Sequence, residues 1–221
     1  MKIRQRAMQA EDKQERRDAI LDAAERMLLR SPEHIANVAE VADEAGLAKG
    51  TVYLYFSGKE ELLLALHERN IDGFFEALVA LLERTQPTGV DDVLALTHEH
   101  MIDPPLFLPL ATRCFAGMSQ SVPAEAGTTF KQRLGERLAR AGAGLERHFR
   151  DLPPGGGVVL LRHSYALILG LWQLSGAQQC PAALAEHTLF NWNYADSVDA
   201  ALRALWQGTV GTHAAAPGSA S

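Results

Sequence analysis

The chain has 221 residues, of which 47% are apolar and 22% charged, and its formal net charge is −6. This length allows one medium domain or a small domain with a larger one, and the apolar share is enough for a core. No apolar run approaches the roughly 20 residues needed to cross a bilayer, and the N-terminus lacks the apolar stretch of a signal peptide. The two cysteines, Cys114 and Cys180, are far apart and have no metal-ligand neighbours. We therefore expect a cytoplasmic protein with no membrane partner.

The negative charge is unevenly distributed along the chain. Residues 1–17 hold six Lys or Arg and three Asp or Glu, whereas residues 1–60 hold ten Lys or Arg and eleven Asp or Glu. The excess of acid therefore lies mainly after residue 60. A nucleic-acid partner of the N-terminal part would be bound by a few placed contacts rather than by bulk charge.

The first 66 residues predict four helices. A helix is expected over about 11–30 and ends at Ser31-Pro32, because the residue before proline disfavours helical backbone. A second is expected over about 38–45, with Asn37 and Glu40 as a capping box and Gly46 as its C-terminal stop. A third follows over about 49–56. Ser57, with Glu60 three residues later, predicts a second capping box before a long fourth helix to about Glu83.

The rest of the chain also predicts helices. They are expected at about 90–102, 105–119, 123–150, 157–178 and 186–207, separated in part by proline- and glycine-rich turns. We expect four divisions: a flexible basic arm over 1–10, a DNA-binding domain over 11–66, a helical domain over 67–210 and a disordered tail over 211–221. The predicted fold class is all-α.

The two short helices predicted over about 38–45 and 49–56 are spaced as in a helix-turn-helix motif. In such a motif the later of the two helices enters the major groove of DNA. Ala42 and Ala45 are small enough for the two helices to cross closely. The third helix and its end offer charge, hydroxyl groups and, at Gly50, a close backbone approach. These residues predict DNA contacts from Lys49, Gly50, Thr51, Tyr53, Tyr55 and Lys59.

The stretch Gly-Leu-Ala-Lys-Gly-Thr-Val-Tyr-Leu-Tyr-Phe-Ser-Gly-Lys-Glu-Glu-Leu-Leu, residues 46–63, resembles the signature of the tetracycline-repressor (TetR) family of transcriptional regulators. The resemblance covers about residues 15–66. It implies that Lys49, Gly50, Thr51 and Tyr53 face bases and nearby phosphates, while Tyr55 and Lys59 hold the DNA backbone. It also implies that Asn37 and Val38, at the start of the second helix, contact the DNA backbone. Two positions depart from the family: Ala48 replaces a capping Ser or Thr, and Asn37 replaces a common Thr.

The resemblance also implies that the helical domain binds a small effector and forms a homodimer. The predicted pocket is lined by Met101, Phe107, Leu108, Arg113, Cys114, Phe115, Met118 and Phe130. The predicted dimer interface comprises Leu161, Ile168, Leu171, Trp172, Leu189, Trp192, Val198, Leu202 and Leu205. The same residues could instead form the core of one subunit, since pockets, interfaces and cores share apolar side chains.

These features favour a ligand-responsive homodimeric repressor that an apolar or aromatic effector releases from double-stranded operator DNA. A first alternative is a regulator without a small effector, controlled by a protein partner or acting as an activator. A second is a helical-bundle enzyme. The sequence contains no nucleophile–base pair and no His-Glu-x-x-His pattern, so we expect no catalysis, no metal and no cofactor.

Overall fold

The computed structural model describes residues 2–31, 34, 37–84, 86–117, 122–175 and 192–211, with side chains omitted for 2–10 and 115–117. Within these ranges the regular elements are helical, which confirms the predicted all-α class. The helices, in chain order, are α1 (Lys2–Arg30), α2 (Val38–Glu44), α3 (Lys49–Tyr53), α4 (Lys59–Leu82), α5 (Val90–Thr97), a π-helical turn (His98–Ile102), α6 (Phe107–Gly117), α7 (Ala124–His148), α8 (Gly156–Leu174) and α9 (Tyr194–Val210).

The chain forms two compact units that do not follow the chain order expected from the sequence. Unit 1 contains residues 1–71 and 104–131, and unit 2 contains 72–103 and 132–221. Helices α4 and α7 each contribute to both units. The boundary at residue 66 stays a prediction. The predicted tail, apart from residue 211, lies outside the described residues.

Three helix starts differ from those expected. Helix α9 begins at Tyr194, with Asn193 as its N-cap, rather than near residue 186. Helix α1 begins at Lys2 rather than near Glu11, so the stretch expected to be a flexible arm has helical backbone. Before α4, the carboxylate of Glu61 rather than Glu60 accepts hydrogen bonds from Ser57, at 2.8 Å from its backbone N and 2.6 Å from its Oγ. Because α4 begins only at Lys59, Glu61 is its third residue, and Ser57 lies one position too early to be the N-cap that was expected.

Unit 1 is built around a continuous apolar core to which each of its first four helices contributes. Helix α1 supplies Ile20 and Leu21, each 0% exposed, and α2 supplies Val41. Val52 of α3 and Phe56 complete the contact of the short helices with the core. Since α2 and α3 are too short to be stable alone, their orientation depends on this packing.

Unit 2 contains a close crossing of α7 and α8. A Cβ atom on Gly157 would lie 2.2 Å from the carbonyl oxygen of Gly142, and one on Gly142 would lie 2.6 Å from Cγ2 of Val158. Glycine is therefore required on both helices by the approach of their backbones. Helix α9 packs against α8, and Trp206 Nε1 donates a buried hydrogen bond of 2.9 Å to Ser164 Oγ.

Candidate nucleic-acid interface

The start of α2 is fixed by a reciprocal capping box. Asn37 Oδ1 accepts hydrogen bonds from the backbone N of Ala39 and Glu40 at 2.9 and 3.1 Å. Glu40 Oε2 in turn accepts from the backbone N of Asn37 at 2.8 Å. This backbone bond, followed by one from His34, lowers the pKa of Glu40. The capping box predicted from Asn37 and Glu40 is thus confirmed.

The turn between α2 and α3 depends on Gly46, whose φ is +68°. The backbone N of Gly46 donates to the carbonyl of Asp43 at 3.1 Å, and that of Leu47 donates to Ala42 at 2.9 Å. This pair of bonds defines a Schellman motif, in which glycine adopts the left-handed conformation at little steric cost. The turn therefore sets the crossing of the two short helices.

Ion pairs join α1 to the two helices that hold α3 in place. Glu44 of α2 accepts from Arg26 and Arg30, and these two guanidinium groups, Arg30 first, lower the pKa of its carboxyl. Arg69 of α4 contacts Asp22 and Glu25 of α1 at 2.6 and 2.7 Å. Each of these pairs has at least one partner that is partly exposed to water, so each contributes modestly to stability. Together the pairs fix the relative register of the helices.

Helix α3 presents one face to the core and the other to solvent. Val52 and Phe56 are 0% and 2% exposed, whereas Lys49 is exposed and Tyr53 is 48% exposed. The Lys49 ammonium lies 5.8 Å from the centroid of the Tyr53 ring, a cation–π contact that holds both side chains on the same outer edge. Ala48 makes no side-chain cap, so α3 is held by packing rather than by its own N-terminus.

The remaining predicted contact residues are spread over the same surface, with one exception. Asn37, Gly50 and Lys59 are exposed, while Thr51 and Tyr55 are half-buried. Lys59 Nζ lies 3.8 Å from Glu60 Oε1. Val38 is only 5% exposed and belongs to the core, so any contact of this residue with DNA would come from its backbone.

The structure places two further residues, Leu54 and Arg17, beside the predicted set. Leu54 is 81% exposed and follows α3 directly. The guanidinium carbon of Arg17 lies 5.4 Å from the centroid of the Phe56 ring, so α1 brings a positive charge to the end of α3. The alternation of Leu54 with buried Val52 and Phe56 is visible in the sequence. The position of Arg17 depends on tertiary packing and has no local signal.

Most of the described residues of the predicted effector pocket are buried. In unit 1, Phe107, Leu108, Cys114 and Phe130 are each 6% exposed or less, and in unit 2 Met101 is also buried. Arg113 is half-buried. The Phe115 side chain and Met118 lie outside the described residues.

His67 of α4 joins this apolar group, and the sequence had given no reason to single it out. Its ring centroid lies 5.4 Å from that of Phe107 and 6.5 Å from that of Phe130. Burial lowers the pKa of His67 to about 4 and raises the pKa of the Cys114 thiol to about 12, so both are neutral near pH 7. His67 is therefore a neutral ring beside Phe107 and Phe130.

The predicted dimer residues separate into buried and partly exposed groups. Leu161, Ile168, Val198 and Leu202 are 6% exposed or less within one chain, so their side chains belong to the core of unit 2 and do not lie on its surface. Four others are half-buried and lie at the ends of the same stripes: Leu171, Trp172, Trp192 and Leu205. Leu189 lies outside the described residues.

Helix α8 is long and apolar enough to cross a membrane by length and composition, contrary to the expectation that no segment approaches this limit. One such helix is weak evidence, because the core helix of a water-soluble protein passes the same test. Only a third of its most apolar window is buried. Leu174 and Val159 are 74% and 39% exposed, so α8 carries apolar surface that one copy of the chain leaves uncovered.

The capped α2, the glycine turn and the donor-bearing face of α3 define a helix-turn-helix DNA-binding protein. A family model described as bacterial regulatory proteins, tetR family, matches residues 20–66, and one described as tetracyclin repressor-like, C-terminal domain, matches residues 68–213. The chain belongs to the TetR family of transcriptional regulators.

Two curated relatives match over short segments. The fatty acid metabolism regulator protein of Bacillus subtilis is 37% identical over 59 residues, 27% of this chain and 30% of the relative. The transcriptional activator FasR of Mycolicibacterium smegmatis is 37% identical over 71 residues, 32% of each chain. The chain thus aligns with about a third of the length of these relatives.

Among solved structures, SmeT is similar over nearly the whole chain. SmeT is the repressor of the Stenotrophomonas maltophilia multidrug efflux pump SmeDEF. It matches with a TM-score of 0.54 and 24% identity over 91% of this chain and 94% of SmeT. A complex of SmeT with triclosan matches with a TM-score of 0.52 and 21% identity over 92% of this chain and 95% of that one. At this identity the likeness concerns the fold.

Proposed function

We propose that this transcriptional regulator is a cytoplasmic homodimeric repressor that binds double-stranded operator DNA through α3 and leaves it when a small apolar or aromatic effector binds. The observation that carries the DNA-binding part is the outer face of α3. Lys49, Tyr53 and Thr51 place charge and hydroxyl groups on a short helix whose opposite side is held by the core. Such groups donate to phosphate oxygens and base edges.

The proposal of a dimer is supported by the uncovered apolar side of α8. A helix-turn-helix protein that reads a two-fold symmetric site needs two copies of its recognition helix, and a dimer supplies them. Leu174, with Val159 and the half-buried Leu171, lies on the side of α8 that the described residues leave accessible. A second copy packed on this surface would remove it from water.

Leu174→Arg tests the dimer without disturbing the fold, because the side chain is 74% exposed in one chain. We expect sedimentation to show monomers for this variant, since a buried unpaired charge opposes association. Gln132→Arg adds the same charge at an exposed position of α7, away from this surface of α8, and should remain dimeric. Wild-type protein that sediments as a monomer at micromolar concentration would contradict the proposal.

The proposal of an effector is supported by the apolar group around His67 in unit 1. Its rings and Cys114 are buried and uncharged near pH 7, which suits the apolar part of a ligand, an aromatic ring or an acyl chain. The structure of SmeT with triclosan and the name of the Bacillus subtilis relative suggest two classes of probe, an aromatic compound and acyl chains.

The test combines two measurements on the full chain. Triclosan and a series of fatty acids and acyl esters are screened by thermal shift, and compounds that raise the melting temperature are added to the protein–DNA complex. Effector and operator favour different conformations, so a true effector should raise the melting temperature of the free protein and weaken DNA binding. Compounds that stabilise the protein but leave its DNA affinity unchanged would contradict this coupling.

FasR is named a transcriptional activator, so activation is a second candidate function for this chain. A reporter gene placed behind the bound DNA distinguishes the two. Deletion of the regulator should raise expression from a repressed promoter and lower expression from an activated one. A fall on deletion would replace the proposed repressor by an activator and leave the DNA-binding surface unaffected.

A further inference from the structure

Leu54 lies at the centre of the outward face of α3. It comes two positions after Val52 and two before Phe56, which are 0% and 2% exposed. Residues two apart on a helix point to nearly opposite sides, so Leu54 faces directly away from the core. Its backbone remains helical, with φ −73° and ψ −17°. It is 81% exposed, more than the other exposed large apolar residues of the described chain.

Gly50 lies one helical turn before Leu54, on the same outward face. A Cβ atom built on Gly50 meets no heavy atom within 4 Å, and its φ lies outside the left-handed region. The fold therefore does not require glycine at this position. Since Gly50 has no side chain, Leu54 is the only side chain at the middle of this face, with polar residues on both flanks.

The flanking residues have the chemistry of a DNA contact. Lys49 and Tyr53 lie on one side of the line that joins Gly50 and Leu54, and Thr51 and Tyr55 lie on the other side. When α3 lies in a major groove, these side chains reach the walls and Leu54 reaches the base edges between them. The apolar group that a base edge presents in the major groove is the C5-methyl group of thymine.

We propose that Leu54 is a specificity-determining residue that contacts a thymine methyl group in each half-site. This inference rests on the proposed role of α3 and adds a preference at one base pair. A methyl group buried against leucine contributes roughly the transfer free energy of one carbon, which corresponds to a factor of about four in affinity at each half-site. Replacement of Leu54 leaves the fold intact, because the side chain touches little of its own chain.

The experiment begins with selection of duplexes from random DNA by the full-length protein. Each thymine of the selected site is then replaced by deoxyuridine, which removes the methyl group and keeps the base pair. We expect wild-type protein to lose about fourfold in affinity per half-site at one thymine, and Leu54→Ala to bind the two duplexes equally. Leu29→Ala, which shortens an exposed leucine of α1, should keep the wild-type preference.

The outcomes separate this inference from the function on which it rests. If a site is selected but no thymine is sensitive to loss of its methyl group, or if Leu54→Ala keeps the sensitivity, the role of Leu54 is wrong and DNA binding stands. If no sequence is selected at all, the proposed operator binding fails, and the role of Leu54 fails with it. A methyl-dependent loss in wild type that is absent in Leu54→Ala supports the proposal.

Discussion

His67 should make the folded protein sensitive to acid. Its imidazole is 2% exposed, and burial lowers its pKa from 6.5 to about 4. Above pH 6.5 the group is neutral in both folded and unfolded chains and has no effect on the pH dependence of stability. Below pH 6.5 the unfolded chain gains a proton that the folded chain does not take up until about pH 4. Stability is therefore lost as the pH falls through this window.

The size of the loss follows from the two pKa values. Between pH 7.5 and pH 5, protonation of His67 in the unfolded chain lowers the free energy of unfolding by about 2 kcal/mol. The full change in pKa corresponds to about 3 kcal/mol. His67→Leu removes the titrating group. Between pH 7.5 and pH 5 the free energy of unfolding of this variant should therefore fall by about 2 kcal/mol less than that of the wild type.

Urea denaturation at pH 7.5 and pH 5, at one fixed protein concentration, measures the effect. The comparison uses the change with pH in each protein, so a difference in stability between the variants at pH 7.5 does not affect it. Wild type and His67→Leu losing equal free energy of unfolding between the two pH values would refute the reasoning that burial holds this histidine neutral.

Three further changes test the local structure. Asn37→Ala removes the acceptor of two backbone donors and should cost about 1 kcal/mol by urea denaturation; an unchanged midpoint would contradict the capping role. Gly157→Ala should lower the free energy of unfolding by about 1–3 kcal/mol, because its Cβ would overlap Gly142. Gly135→Ala, in an open position of α7, should raise it by about 0.5–1 kcal/mol. Similar effects for both variants would refute the close crossing of α7 and α8. Gly50→Ala should leave thermal stability unchanged or higher and weaken DNA binding, since its surroundings are open; unchanged affinity in a gel-shift titration would exclude close approach there.

Local signals in the sequence were enough to predict the helix-turn-helix. Asn37 and Glu40 form the expected capping box, and Gly46 adopts the left-handed conformation that the helix stop implied. Both depend on residues within one or two turns of each other, so the sequence contains the whole interaction. The exposed and buried sides of α3 follow from the same short-range periodicity.

Features that depend on packing were predicted less well. Apolar stripes along α8 and α9 indicated a dimer surface, but Leu161, Ile168, Val198 and Leu202 are buried within one unit. An apolar stripe indicates which side of a helix is buried. It does not indicate whether the residues that bury it belong to the same chain or to a second copy. Leu174, outside the predicted set, is instead the exposed residue.

The role of His67 also required the structure. Its place on α4 gives no sign that residues 40 and 63 positions later, Phe107 and Phe130, bring their rings to it. The start of α1 illustrates a different limit. Lys2 to Ala10 has no local signal that extends a helix, so the sequence was interpreted as a flexible arm, whereas its backbone is helical.

The most direct test of the account measures the affinity of the outer edge of α3 for DNA. Full-length protein, its Lys49→Ala and Tyr53→Ala variants and the control Lys131→Ala, in an exposed position of α7, are titrated against the selected duplex at one salt concentration. We predict that Lys49→Ala and Tyr53→Ala each weaken specific binding by about 1–3 kcal/mol, with the control unchanged. Unchanged affinity of both variants would contradict the central claim that this face of α3 binds the operator.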